Sequence, residues 1–268
     1  MDNTVKEPLI HLSKREDMSF GKKWLVRIIA ILLSLIVCAG FIFIIIKMNP
    51  VEVYEGIVEG AVGTGRRFWV TARDALTLLC VAVAVTPAFK MKFWNIGAEG
   101  QILMGCVASA AMMIYAGNAL PTGLLLVLMF VCSFIAGGIW GIIPAFFKAR
   151  WNTNETLFTL MLNYVAMQVV TFCIVYWENP AGSNSVGIIN APTRAGWFPQ
   201  LFGLDYGWNL AIVLLLTVLM FIYMKRTKHG YEIAVVGESE NTARYAGINV
   251  GKVIVRTVGI SGGIAGMV

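Results

Sequence analysis

Carboxylate and carboxamide side chains set among apolar residues are the groups in this chain with chemistry to offer. The stretch NIGAEGQ, residues 95–101, gathers Asn95, Glu99 and Gln101 with two glycines at the start of an apolar run, directly after a basic turn holding Lys90 and Lys92. Charge at membrane depth is costly, so it is paired or used. Three uses fit. Asn95 can cap the coming helix and Glu99 can complement its positive end, tying the turn to neighbouring backbone. The same groups can line a pathway for a polar solute. Glu99 can also relay a proton. A second cluster, NTNETLFTLMLNY over residues 152–164, places Thr156, Thr159 and Asn163 at i, i+3, i+7, on one helical face. Such a stripe either glues helices together or lines a pore. Asn154 is placed to cap that helix, with Glu155 complementing its dipole. Asp74 beside Arg73 reads as a surface pair.

Other chemistries lack material. Cys38, Cys80, Cys106, Cys132 and Cys173 all sit in apolar runs, as small packing residues do, without a disulfide framework or metal spacing. His11 and His229 are the only histidines, one in a polar tail and one in a basic turn. A histidine metal site, a catalytic triad and a paired-carboxylate site are therefore not expected, and no cofactor is implied. The net charge is +6, but the positive residues are dealt out between apolar runs rather than gathered in a patch, which argues against nucleic acid as a partner.

The elements that must position these groups are membrane helices. The chain is 58% hydrophobic and 13% charged, about half the charged share of a soluble domain, with mean hydropathy +0.74. The expected fold is all-α: a polytopic transmembrane bundle of about seven spans, with a cytoplasmic tail over 1–24 and a transmembrane domain over 25–268. The spans are expected at 25–46, 75–89, 96–116, 123–147, 157–177, 210–224 and 253–268. The first run is too long for a signal peptide and reads as a retained span. Residues 49–73 suggest an amphipathic segment along the outer face, and 178–207 a long outer loop with Trp197, Phe198 and Trp208 near the interface. Under this topology 16 of the Lys and Arg residues lie inside and 5 outside, as the positive-inside rule requires. Gly137 and Gly141 have G-x-x-x-G spacing, as do Gly259/Gly263 and Gly262/Gly266, which marks close helix approach. The last run offers roughly 24 Å of helix against a core of about 30 Å, so further spans are expected beyond it.

The longest polar interruption on the inner side is 225–250. It contains a very short helix signal: Ser239 as N-cap, Glu240 and Arg244 matching the dipole, and Gly247 as a left-handed stop. Ala243, Ala246 and Gly247 fall at i, i+3, i+4 and make one face nearly flat. A helix this short needs packing to hold it. It is either an ordinary surface turn or a docking face for another protein.

FWNIGAEGQ (93–101), NETLFTLMLNYVA (154–166) and GESENTARYAGIN (237–249) occur in that order, and together they resemble the permease subunits of bacterial ABC importers for nucleosides and simple sugars, within the wider ribose and branched-chain amino acid permease group. The likeness covers nearly all of the chain from the first span onward. It implies ATP-driven uptake through a bacterial inner membrane, with cytoplasmic ATPase subunits, an extracytoplasmic solute-binding protein and a second permease subunit, identical or paired. It also implies that Gly237, Ala243 and Gly247, with Ala246, belong to a coupling helix that docks on the ATPase. Asn95, Glu99, Gln101, Thr159 and Asn163 become the candidate solute pathway. The chain has no G-x-x-x-x-G-K-[ST] phosphate loop, so ATP hydrolysis falls to the partner. A proton-coupled carrier using Glu99 and a membrane scaffold protein are the competing readings.

Overall fold

A computed structural model describes residues 19–201 and 206–268. The described residues are helical apart from turns, loops and one isolated bridge residue, as expected of an all-α chain. Of the expected cytoplasmic tail, residues 1–18 lie outside the described residues and 20–24 already belong to helix.

The chain divides into two compact units, 1–68 and 69–268. In the first, helix α1 (Phe20–Phe41) runs on through a π-helical segment (Ile42–Ile46), and α2 covers Pro50–Val62. α1 buries no residue. Asn49 caps α2 by accepting the Val51 N–H at 3.1 Å, with Pro50 at the first helical position, where its missing N–H costs nothing. Tyr54 Oη donates to the Leu35 carbonyl at 2.6 Å and ties the two helices.

The remaining helices are α3 (Gly65–Lys90), α4 (Ala98–Ala116), α5 (Thr122–Trp151), α6 (Glu155–Tyr176), α7 (Gly207–Arg226), α8 (Lys228–Glu238), α9 (Glu240–Tyr245) and α10 (Val250–Gly266). Among the described residues, six helices are long and apolar enough to cross a membrane: α1 with its π extension, α3, α4, α5, α6 and α7. The expected seventh span is α10, a 17-residue helix with most of its residues buried. α3 starts ten residues before the expected second span. Arg66, Arg67, Arg73 and Asp74 hid the continuation, although a helix end carries such charges readily when they pair, as Arg73 and Asp74 do at 2.8 Å.

The tightest packing is that of α10 on α5 and α4, and glycine makes it possible. A Cβ on Gly262 would fall 2.6 Å from the Gly137 carbonyl oxygen, and one on Gly266 would fall 2.5 Å from that of Ser133. The two G-x-x-x-G pairs therefore face each other, Gly137/Gly141 on α5 against Gly262/Gly266 on α10. Gly259 and Gly263 instead receive the side chains of Ile142 and Phe134. In the long loop, Asn190 Nδ2 donates to the Met113 carbonyl at 2.8 Å, anchoring the loop on the far end of α4.

At the opposite, lysine- and arginine-rich end, a cluster of Met91, Phe93, Ile233, Val236, Ala243, Val250 and Ile254 joins the end of α3 to α8, α9 and α10. α8 has no counterpart in the expected layout, which held only the shorter helix in this region. His229 at its start is buried, not an open basic turn: its Nδ1 bonds the Tyr223 hydroxyl, and its Nε2 faces Thr257 Oγ1 at 3.4 Å. Burial, helped by Arg256, pushes the imidazole pKa below its ordinary range, so the ring is neutral near pH 7.

Candidate functional site

The start of α4 is built from amides. Asn95 Oδ1 accepts the Gly97 N–H at 3.0 Å, and the Asn95 and Gln101 carboxamides bond reciprocally at 3.2 and 3.3 Å. Asn95 therefore organises the turn before the helix, while Gly97 occupies the cap position expected for Asn95. From α6, Asn163 Oδ1 accepts the Gly100 N–H at 2.9 Å, and Asn163 Nδ2 donates to the Ile96 carbonyl at 3.0 Å. Thr159 Oγ1 turns back to the Glu155 and Thr156 carbonyls at 2.8 and 3.1 Å. Asn95, Gln101, Thr159 and Asn163 are each at most 2% exposed. The sequence clusters at 95–101 and 152–164 thus meet as one buried joint.

Glu99 stands apart from it. Its side chain is exposed and makes no hydrogen bond or ion pair among the described residues. Trp140 on α5 is a member of the joint that motif reading missed. Its indole Nε1 is buried without a hydrogen-bond partner among the described residues, and a Cβ on Gly100 would lie 3.0 Å from it. The only sequence signal for it was its place beside Gly141 on the glycine-bearing helix.

The short inner helix takes the caps its residues dictate. Ser239 Oγ accepts the Thr242 N–H at 3.3 Å. Gly247 has φ +76°, which a Cβ would disfavour, and the Gly247 and Ile248 N–H groups close the end on the Arg244 and Ala243 carbonyls at 3.0 Å each. The face its small residues suggested is split, with Ala246 and Gly247 exposed and Ala243 not. Ala243 is fully buried in the chain's own core, whereas Ala246 is exposed and Tyr245 is 93% exposed. Gly237 is buried because α8 passes against the Lys90 carbonyl, where a Cβ would collide. Ala243 and Gly237 therefore seat α9, and the outer surface is formed by Glu240, Asn241, Thr242, Arg244, Tyr245 and Ala246.

Beneath α9, Lys148 Nζ of α5 pairs with Glu155 Oε2 of α6 at 3.0 Å, both half-buried. Asn154 Oδ1 caps α6 by accepting the Leu157 N–H at 3.1 Å. A polar cavity of about 160 Å³ lies between this pair and α9, lined in part by Lys92, Glu238 and Glu240.

The family described as "branched-chain amino acid transport system / permease component" matches residues 69–268, the second compact unit. The chain belongs to this permease family. The permease is a multi-pass membrane protein and a transport component, not an enzyme, and such components act with an ATPase and a solute-binding protein. It is 30% identical over 250 residues to the guanosine ABC transporter permease protein NupP of Bacillus subtilis (strain 168), covering 91% of this chain and 70% of that one. It is 28% identical over 256 residues to the nucleoside ABC transporter permease protein NupB of Lactococcus lactis subsp. cremoris (strain MG1363), covering 92% and 69%. With the glucose ABC transporter permease protein TsgB13 of Haloferax volcanii it shares 27% over 233 residues, covering 81% and 59%. No solved structure matches the permease.

Proposed function

We propose that this permease forms, with a second permease subunit, the pathway for ATP-driven nucleoside uptake across a bacterial plasma membrane, and that α9 is the helix its ATPase grips. The observation that carries this reading is the build of α9: six residues, capped at both ends, one side chain buried and the remainder presented outward. A helix of under two turns does not hold itself in water, so its seat on the α3 and α8 cluster supports a mechanical role. The solute class rests on the guanosine and nucleoside permeases among the relatives. Simple sugars are the competing class, on the glucose permease.

For the pathway we assign Glu99 the contact with solute, because its side chain alone among the five candidates is neither buried nor engaged. Asn95, Gln101, Thr159 and Asn163 then hold the joint from which Glu99 projects. The same isolation of Glu99 suits a proton carrier, and the energy source separates the two. In sealed vesicles holding the complete transporter, guanosine uptake is expected to follow internal ATP and to ignore an uncoupler. Uptake that collapses with the uncoupler and is indifferent to ATP contradicts the proposal. A membrane scaffold would give no uptake at all.

A further inference from the structure

We propose that Lys148 is a positioning residue that exchanges partners between Glu155 and Glu240, and that this exchange carries the displacement of α9 into the buried joint of α4 and α6. The inference rests on the reading above that α9 is gripped by an ATPase.

Four observations lead to it. First, the Lys148–Glu155 pair spans the elbow between α5 and α6, which is only residues 152–154 long. Each partner also sits where its helix dipole favours it, Lys148 in the last turn of α5 and Glu155 in the first turn of α6. Opening the pair therefore leaves neither charge without a favourable field. Second, Lys148 and Glu240 are the two charged residues shared by two polar hollows, the cavity of about 160 Å³ and another of about 420 Å³ on the Arg150 and Arg244 side. The ammonium thus has a second carboxylate on α9 and room for waters to follow it. Third, among the described residues the Glu240 side chain is tied elsewhere only through the loose 3.5 Å contact with Arg244, which is exposed and worth little. Fourth, Glu155 leads directly into the joint. Its carbonyl accepts from Thr159, and one turn further on Asn163 holds the Gly100 N–H and the Ile96 carbonyl.

A pull on α9 that brings Glu240 to Lys148 releases the first turn of α6. α6 can then shift with Asn163, and the start of α4 that bears Glu99 moves with it. Discrete partner exchange of this kind gives the two-state element that transmission between distant sites needs.

The test uses the complete transporter in proteoliposomes, with radiolabelled guanosine and ATP hydrolysis measured on the same sample. Lys148→Glu with Glu155→Lys keeps the elbow pair but sets two carboxylates against each other at α9. Glu240→Gln leaves the elbow pair untouched. Glu240→Gln is expected to keep the wild-type unfolding midpoint, and the swap, which sets each charge against its helix dipole, to lower it modestly; with bound ATPase measured in both, guanosine uptake per ATP hydrolysed falls by about tenfold. Wild-type uptake by either variant overturns the proposal, and wild-type uptake by the swap would mean that the pair only braces the elbow. A spin-label pair at Tyr231→Cys and Met161→Cys, both positions exposed, reads the motion without any solute. ATP should change their separation in the wild-type background and leave it unchanged in the swap. No change in wild type overturns the relay even if uptake is normal. Failure of wild type to import guanosine, with the spin-label response intact, would instead refute the solute assignment alone.

Discussion

The residue that does most at the buried joint is Asn163. One carboxamide satisfies the Gly100 N–H, which the first turn of α4 leaves without an internal partner, and the Ile96 carbonyl in the turn just before that helix. Replacing it with leucine keeps the volume but strands both groups. Asn163→Leu is expected to destabilise the permease by about 1–3 kcal/mol, read as a lowered unfolding midpoint in detergent, and to reduce transport with it. Asn163→Asp keeps the acceptor for Gly100 but buries a carboxyl against the Ile96 carbonyl, and should lose at least as much. An unchanged midpoint in the leucine variant would show that the joint is not held by these bonds. That Asn95, Gln101, Thr159 and Asn163 matter was legible in their types, since polar residues in an apolar run are expensive. Their pairing was not legible, because nothing in a linear spacing says that 95–101 and 152–164 meet. Trp140 was invisible for the same reason: one more aromatic residue in a span carries no pattern.

At the scale of elements, α9 was readable because capping is local chemistry. Ser239, Glu240, Arg244 and Gly247 act within the helix they bound, and the structure places each in its expected role. The orientation of α9 was not readable, since which face is buried depends on α3 and α10, remote in sequence. α8 escaped because Gly230 and Gly237 break its apolar pattern, and both glycines serve close approach rather than a turn. The burial pattern gives a contrast between two neighbouring positions. Ala243→Arg places a charge in a fully buried site and is expected to lower the unfolding midpoint of the permease by itself. Tyr245→Arg, at a 93% exposed position, is expected to leave that midpoint unchanged and to abolish copurification of the ATPase. If both variants unfold, or if Tyr245→Arg still retains the ATPase, the outward face is not the gripping surface.

For the molecule as a whole, hydropathy was enough to place six of the expected spans, because the bilayer imposes a length rule on each helix separately. The apposition of Gly137/Gly141 with Gly262/Gly266 adds what that rule omits, the contact that joins α5 to α10 across the segment carrying α8 and α9. That arrangement sets α9 on one end of a glycine-packed core, the Lys- and Arg-rich end. That end is the one proposed to face the ATPase. The most direct measurement is a photoreactive cross-linker at Tyr245→Cys in membranes of cells expressing the complete transporter. It should be labelled from the cytoplasmic side and should cross-link to the ATPase subunit. Labelling only from outside the cell, or cross-links to the solute-binding protein in place of the ATPase, would contradict it.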